Sequence, residues 1–180
     1  KARELVRRSG TRGMKVTVWH DQGYPAGKSA AYLVRLLRKL GYAASLKSQH
    51  NPPYPGQLAD SRNRTQLGWF GWFQDYPAPS NFIAPLLSCN AFTPRSVANF
   101  NLAEFCNKAI DAQIRRAHSL ETREPGTAGE LWGRIDRELV DQAPWVPLYN
   151  ERALTALATR VGNYRYHPFW NVLLDQLWVR

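Results

Sequence analysis

Sulfur-containing residues are scarce in this sequence of 180 residues, which has two cysteines and one methionine. So few cysteines exclude a fold that is stabilised mainly by disulfides, and their spacing fits no zinc-binding motif. Long apolar runs are also missing, since none approaches the ~20 residues of a membrane-spanning helix. The opening residues, KARELVRRSG, predict an amphipathic helix rather than a signal peptide. We therefore expect neither a disulfide scaffold, nor a zinc module, nor a transmembrane helix.

Acidic residues are scarce in the first third of the chain. Residues 1–66 contain 13 basic and 3 acidic side chains, whereas residues 67–180 contain 11 of each, so the net charge of +10 arises entirely in the first third. A basic segment is compatible with a nucleic-acid or membrane surface, with an acidic partner, or with another part of the same polypeptide that neutralises it. Composition leaves these alternatives open, and because most basic proteins bind no nucleic acid we expect no nucleic-acid partner.

The residues that are abundant predict a folded α/β domain. The chain is 44% hydrophobic and 12% aromatic, which is too apolar for intrinsic disorder. Residues 14–20 alternate as in a strand, residues 28–40 carry leucines at i, i+3, i+4 and i+7 as in an amphipathic helix, and residues 42–48 predict a second strand. Short connections between these elements indicate a β-α-β unit, in which the two strands are parallel.

The remaining pattern is weaker. Residues 50–64 contain three prolines and predict a loop, and residues 65–73 predict a strand rich in aromatic residues. Helices are expected at residues 81–87, at residues 103–119, and from Thr127 to about Gln142. Thr127 and Glu130 form a capping-box pattern at the start of the third helix. Three further strands are expected in the segments WVPLY, ALTALAT and NVLLDQLWV.

One loop resembles a phosphate-binding loop but departs from its pattern. The segment from Gly23 to Ser29, GYPAGKS, lies between the first strand and the first long helix. A P-loop requires four residues between its glycines so that backbone N–H groups surround the phosphates, whereas only three are present here. Pro25 also removes one of the N–H donors. We therefore interpret the segment as an ordinary helix start and expect no nucleotide cofactor.

Residues typical of catalysis or metal binding do not cluster in the sequence. The four histidines are scattered without the spacing of metal ligands, and no local Ser-His-Asp or Cys-His arrangement is present. Asp136 and Glu138 lie on the polar side of a predicted helix, where solvated carboxylates are the simplest interpretation. The sequence thus predicts a protein that is not an enzyme and has no metal site and no cofactor.

The most informative segment is GWFGWFQDYP, residues 68–77. In a strand, Trp69, Gly71 and Phe73 would share one face, with Phe70 and Trp72 on the other. Asp75 follows the aromatic residues, and a carboxylate beside aromatic rings is a good receptor for a cationic group, through a charge-assisted hydrogen bond and cation–π contacts. The alternative is that the tryptophans belong to the core and that Asp75 starts a turn. The residues alone leave both interpretations open.

At this segment the chain resembles the C-terminal part of a family 5 extracellular solute-binding protein, the receptors of oligopeptide and dipeptide ABC importers. The segment GWFGWFQDYPAPSNF resembles the family pattern G-W-x-x-D-Y-x-x-P. ARELVRRSG, MKVTVWH and LVRLLRKLGY resemble the start of the last large lobe of these proteins. AIDAQIRRA, ELWGRIDRELVDQAPWVPLYN and WNVLLDQLWVR resemble the helices and strands that follow. The resemblance covers essentially all 180 residues.

The resemblance implies an α/β fold of the two-lobed, type II periplasmic-binding-protein class, with a mixed sheet flanked by helices. Residues 1–149 would form the C-terminal ligand-binding lobe, and residues 150–180 would return to a first lobe outside this chain. By the same resemblance, Asp75 pairs with the α-amino group of a peptide and Trp72 lines the ligand pocket. Trp69 and Tyr76 complete the expected ligand-binding set, although relatives carry other residue types at the position of Trp69.

The resemblance also implies a role, a location and partners. The expected role is binding a peptide or another small cationic solute outside the cytoplasm, for transfer to an ABC transporter permease. Membrane association is expected only through a lipid anchor outside this chain. The alternative is that the lobe has been reused as a ligand sensor or interaction module in a larger regulatory protein, which would be cytoplasmic. Family members also bind nickel complexes, opines or sugars, so the ligand class stays open.

The two cysteines gain an interpretation from the resemblance. Cys89 and Cys106 flank a loop that contains a proline and follows the binding motif. Exported proteins fold in an oxidising compartment, where a disulfide closing such a loop adds about 3 kcal/mol of stability. The resemblance therefore implies a Cys89–Cys106 disulfide, with two buried free thiols as the alternative.

Overall fold

A computed structural model describes residues 1–22, 26–50, 54–150, 152 and 154–180. These residues form two compact units. The first unit contains Lys1–Trp72 and Pro85–Lys108, and the second contains Phe73–Ala84 and Ala109–Arg180. Within the described ranges, no helix has both the length and the apolar character that a membrane span requires.

A β-α-β unit forms the centre of the first unit, as the hydrophobic pattern predicts. After helix α1 (Ala2–Arg8), strand β1 (Lys15–Asp21), helix α2 (Ala26–Leu40) and strand β2 (Ala43–Gln49) follow with short connections. The two strands are parallel over seven residues, from the Lys15–Ala43 pair to the Asp21–Gln49 pair. The apolar side of α2 packs on this pair of strands in a cluster of small and branched side chains: Val18, Ala30, Val34, Leu37 and Ala44.

The aromatic segment contributes much less strand than its composition predicts. Only Leu67–Gly68, strand β3, pairs with the free side of β1, again in parallel, which makes the strand order β2-β1-β3. The expectation of a strand over residues 65–73 is therefore wrong except at Leu67 and Gly68. At Gly68 a side chain would overlap the side chain of Leu58 in α3, so a larger residue would require Leu58 to shift.

The region expected to be a loop contains a short helix. Helix α3 (Tyr54–Ala59) is followed by a 3₁₀ turn at Ser61–Asn63, and Asp60 caps this turn by accepting the backbone N–H of Arg62. Pro55 in the first turn of α3 is tolerated because the N–H groups of the first turn have no partner within the helix, so the missing N–H of proline costs no helical hydrogen bond. Tyr54 and Leu58 of α3 pack against Trp19 of β1. Both faces of β1 are thus covered, by α2 on one side and α3 on the other.

A disulfide and the buried residue Asn101 organise the loop before the long helices. Cys89 and Cys106 form a disulfide, which is the pairing that the resemblance implies. The side chain of Asn101 is completely buried, donates to the carbonyls of Ser88 and Phe105, and accepts the N–H of Phe105. Because these bonds take the backbone of Phe105, helix α5 begins only at Lys108 and ends at Leu120, later than the expected start at residue 103.

In the second unit, helix α6 begins earlier than the capping-box pattern predicts. Helix α4 (Ser80–Leu87) starts in this unit, and α6 spans Pro125–Gln142. The residue before α6 is Glu124, its side chain makes no capping hydrogen bond, and Thr127 lies inside the first turn, so the expected capping box is wrong. Pro125 suits the first helical position because it lacks the N–H that would otherwise need a partner. A hydrogen bond from Gln113 to Glu138 links α5 to α6.

The last residues form two small antiparallel pairs in place of three longer strands. Strand β4 (Val161–Gly162) pairs with β7 (Trp178–Val179), and β5 (Tyr166–His167) pairs with β6 (Asn171–Val172). The segments WVPLY and, in its described residues, ALTALAT contain no strand, and NVLLDQLWV is interrupted by a 3₁₀ turn at Leu174–Gln176. With its helices flanking a small sheet, the chain is of the predicted α/β class, and its three-stranded sheet is wholly parallel.

Candidate ligand-binding site

The aromatic segment is attached to the sheet through the hydroxyl of Tyr54. This oxygen accepts the backbone N–H of Trp69 at 2.9 Å. The hydroxyl donates to the carbonyl of Trp19, at 3.1 Å, and it also lies 2.9 Å from the carbonyl of Trp69. Only 5% of Tyr54 is exposed, and burial raises the pKa of its hydroxyl to about 12. Because Tyr54 accepts the backbone N–H of Trp69, the segment leaves the sheet at this residue.

Beyond Trp69 the aromatic side chains do not alternate as they would in a strand. Trp69, Phe70 and Trp72 are all half-buried, whereas Phe73 is 81% exposed. The Trp72 ring lies 6.5 Å from that of Phe70 and makes an edge-to-face contact, at 5.3 Å, with Phe100 of the disulfide loop. The first unit thus presents an aromatic surface that consists of Phe70, Trp72 and Phe100.

Asp75 has an exposed carboxylate that a buried asparagine holds in place. The backbone N–H of Asp75 donates to Oδ1 of Asn81 at 2.7 Å, and Nδ2 of Asn81 donates to Oδ2 of Asp75 at 3.0 Å. Asn81 is only 5% exposed. In the part of the chain that the structure describes, the ion pairs involve Glu4, Asp60 and Glu121, and none involves Asp75. The negative charge of Asp75 therefore faces solvent without a cationic partner in these ranges.

Tyr76 lies beside a hydrogen-bonded group that connects α4 to α6. The Tyr76 hydroxyl is 3.4 Å from Oγ of Ser80, which also lies 3.1 Å from Oε2 of Glu121. The other oxygen of Glu121 accepts the indole N–H of Trp132 at 3.0 Å, and His118 contacts Oε2 at 3.0 Å. Tyr76 is exposed, so an aromatic ring adjoins the carboxylate of Asp75 in sequence and both are accessible from solvent.

The four predicted ligand-binding residues are divided between the two compact units. Trp69 and Trp72 belong to the first, whereas Asp75 and Tyr76 belong to the second, and the chain crosses from one to the other after Trp72. Three residues that support them are not identified by the sequence pattern, namely Tyr54, Asn81 and Phe100. No local pattern identifies Tyr54 or Phe100, which are distant in sequence. Asn81 carries a weak signal, since asparagine near a helix start commonly bonds to nearby backbone groups.

The described residues hold no group of three or more His, Cys, Asp or Glu side chains arranged to bind a metal ion. Of the loop that resembles a P-loop, Gly23, Tyr24 and Pro25 lie outside the described residues. Gly27, Lys28 and Ser29 belong to the beginning of α2. Asp136 and Glu138 are exposed on α6, as the polar side of that helix predicts.

Curated relatives of this chain are binding proteins. A search of protein-family models finds no match. The chain is 27% identical, over 95% of its length, to di/tripeptide-binding protein 4 of Pseudomonas aeruginosa, of which it covers 32%. It is 31% identical, over 65% of its length, to heme-binding protein A of Haemophilus influenzae, of which it covers 21%. The chain therefore spans a third or less of the length of these relatives.

Solved structures share the fold. A dipeptide-binding protein from Pseudoalteromonas sp. SM9913, in complex with Met-Leu, aligns with 99% of this chain at a TM-score of 0.81 and 23% identity, over 35% of its own length. Clavulanic acid biosynthesis oligopeptide binding protein 2 aligns with 98% at a TM-score of 0.85 and 22% identity, over 32% of its length. The ABC transporter-associated periplasmic binding protein DppA of Helicobacter pylori, in complex with the peptide STSA, aligns with 81% at a TM-score of 0.72 and 21% identity, over 27% of its length.

Proposed function

Because the chain is homologous to the family 5 extracellular solute-binding proteins and has the type II periplasmic-binding-protein fold, we propose that it is the C-terminal ligand-binding part of such a protein. In this proposal the complete polypeptide binds peptides, or other small solutes with a cationic amino group, for import by an ABC transporter. The role is binding and transfer, and it includes no covalent step. The relatives named as di/tripeptide-binding and dipeptide-binding proteins support it.

One observation carries the choice of ligand. The carboxylate of Asp75 is exposed, has no basic partner among the described residues, and is oriented by the buried side chain of Asn81. A carboxylate in this state favours a primary ammonium group, whose N–H donors form charge-assisted hydrogen bonds with it. Trp69, Trp72 and Tyr76 are the aromatic residues assigned to the walls around the ligand, where ring faces attract both apolar groups and cations.

The location and the domain boundary are part of the same proposal. We place the complete protein outside the cytoplasm, which the periplasmic relative and the Cys89–Cys106 disulfide support, since disulfides persist in oxidising compartments. A permease is the proposed partner, and a lipid anchor is the proposed membrane attachment.

Residues 1–149 are proposed to form the ligand-binding lobe and residues 150–180 to return to the other lobe. In support, the short strands after residue 160 pair only with one another among the described residues.

The test is the substitution Asp75→Asn in the complete polypeptide, with binding to a complete dipeptide library measured by calorimetry. Loss of a charge-assisted hydrogen bond to the ammonium group is expected to weaken binding of the tightest dipeptide by about tenfold or more. Asp136→Asn is the matched control, because Asp136 is an exposed aspartate on α6 and is not part of the site. Equal affinities of the Asp75→Asn variant and the unmodified protein would show that Asp75 does not bind the amino group.

A further inference from the structure

The side-chain amide of Asn81 makes two hydrogen bonds to Asp75, one through its oxygen and one through its nitrogen. Its oxygen accepts the backbone N–H of Asp75 at 2.7 Å, and its NH₂ group donates to the Asp75 carboxylate at 3.0 Å. One bond holds the backbone of Asp75 and the other holds its side chain. Two such bonds through one planar amide restrict the rotation of the carboxylate far more than either bond alone.

The partner of the Asp75 carboxylate is an amide, and this affects its charge. An arginine or lysine in the place of Asn81 would neutralise the carboxylate, whereas an amide donates a hydrogen bond and adds no net charge. The bond occupies Oδ2, and the structure shows no hydrogen bond to Oδ1 from the described residues. Asp75 is therefore oriented while it keeps its full negative charge and one oxygen for another donor.

Asn81 is itself fixed by the residues around it. It lies in the first turn of α4 and is 5% exposed, next to Ser80, which is 2% exposed. The Ser80 hydroxyl donates to Glu121 at 3.1 Å, and Glu121 in turn accepts the indole N–H of Trp132 at 3.0 Å. All of these residues belong to the second unit. The start of α4 is thus tied to α6, so Asn81 has a rigid base from which to hold Asp75.

We propose that Asn81 is a positioning residue, which orients the carboxylate of Asp75 for ligands with a free ammonium group and thereby determines the preference for unblocked over N-acylated peptides. This inference rests on the proposed function. A free α-amino group brings a positive charge and three N–H donors to Oδ1, whereas an N-acetyl amide brings one donor and no charge. An oriented, unneutralised carboxylate distinguishes the two most strongly.

The test compares two probes on the complete polypeptide: the tightest-binding member of a dipeptide library, and the same dipeptide with an acetylated N-terminus. The ratio of their affinities is the readout. With Asn81→Ala we expect this ratio to fall about tenfold, because the carboxylate rotates among several orientations. Asn81→Leu fills the same buried space without a hydrogen-bonding group, and it is expected to lower the ratio to a similar extent. It replaces Asn81→Ala in the test if the alanine variant folds poorly.

Asn101→Ala is the matched control. Like Asn81, Asn101 is a buried asparagine. Its side chain makes three hydrogen bonds, all to main-chain groups of the disulfide loop. This variant is expected to lower the melting temperature and leave the ratio unchanged, which separates positioning from a general loss of stability.

The outcomes distinguish this inference from the proposed function. If Asp75→Asn abolishes the preference for the free amine while both Asn81 variants retain it, the proposed function holds and the inference about Asn81 is wrong. If Asp75→Asn also retains the preference, or if no dipeptide binds to the unmodified protein, the proposed function fails and the inference fails with it.

Discussion

The hydroxyl of Tyr54 accepts a hydrogen bond from the backbone N–H of Trp69 at 2.9 Å, and this contact determines where the aromatic segment leaves the sheet. Tyr54 lies on α3 and Trp69 is the first residue after β3. The same oxygen lies 3.1 Å from the carbonyl of Trp19 on β1. One side chain therefore satisfies the backbone groups that a longer strand would have paired with its neighbour.

Removal of this hydroxyl is expected to destabilise the fold. Tyr54→Phe removes the part-buried hydrogen bond from the N–H of Trp69, and the loss of such a bond costs about 1–3 kcal/mol. The measurement is the free energy of unfolding by urea. Tyr32→Phe provides the control, because Tyr32 is exposed on α2 and the structure shows no hydrogen bond to its hydroxyl from the described residues. Equal stability of the Tyr54→Phe and Tyr32→Phe variants would contradict the prediction.

The stability should also depend on pH through Tyr54. Burial raises the pKa of this residue to about 12, and that of an unfolded tyrosine is about 10. The unfolded state therefore loses its proton first, so the contribution of Tyr54 is complete below about pH 10 and is lost as the pH rises to about 12. The difference in unfolding free energy between the unmodified protein and Tyr54→Phe is expected to shrink by about 2 kcal/mol across this range. A pH-independent difference would argue against a buried, protonated hydroxyl.

Two glycines near the site are expected to differ in their sensitivity to replacement by alanine. At Gly68 a methyl group would overlap Leu58 of α3, and overpacking of this kind costs about 1–3 kcal/mol. At Gly71 there is no heavy atom within 4 Å of the new methyl group, so Gly71→Ala is expected to change stability by less than about 0.5 kcal/mol. Thermal unfolding of the two variants measures the difference. If Leu58→Ala and Gly68→Ala together lower the stability by less than the sum of their separate effects, the clash itself is identified as the cause.

The Cys89–Cys106 disulfide is expected to add stability by restricting the unfolded chain. The two cysteines are 17 residues apart, and closing a loop of this length adds about 3 kcal/mol. Replacement of both cysteines by serine should lower the free energy of unfolding by about this amount. Titration of the unfolded, unreduced protein with a thiol reagent is expected to find no free thiol. Two free thiols per chain would contradict the disulfide.

The sequence predicts those parts of the fold in which neighbouring residues decide the structure. The β1-α2-β2 unit follows from alternating and helical apolar patterns with short connections, and the structure confirms it with seven parallel pairs. The long helices α5 and α6 were also predicted, although their first residues were not. Asn101 occupies the backbone of Phe105 and delays α5, and Pro125 starts α6 ahead of the Thr127 pattern. Helix starts depend on such contacts, which a periodic pattern does not contain.

The aromatic segment shows where a local pattern fails. Its composition favours a strand, but Gly68 lies against Leu58, and Tyr54 accepts the backbone N–H of Trp69. Both contacts come from α3, in a region that its prolines mark as a loop. β-propensity reports how well side chains fit a sheet surface, and neighbouring elements override it readily.

By itself, the sequence determined the α/β class, the β-α-β unit, the concentration of positive charge in residues 1–66, and the motif that contains Trp72, Asp75 and Tyr76. Periodicity and motif spacing suffice for these because they arise from residues that are close together in the chain. Only the tertiary structure decided that Asn81 holds Asp75, that Phe100 contacts Trp72, and that Tyr54 ends the third strand. Those contacts depend on how separate elements pack, and side chains brought together by packing leave no periodic trace in the sequence.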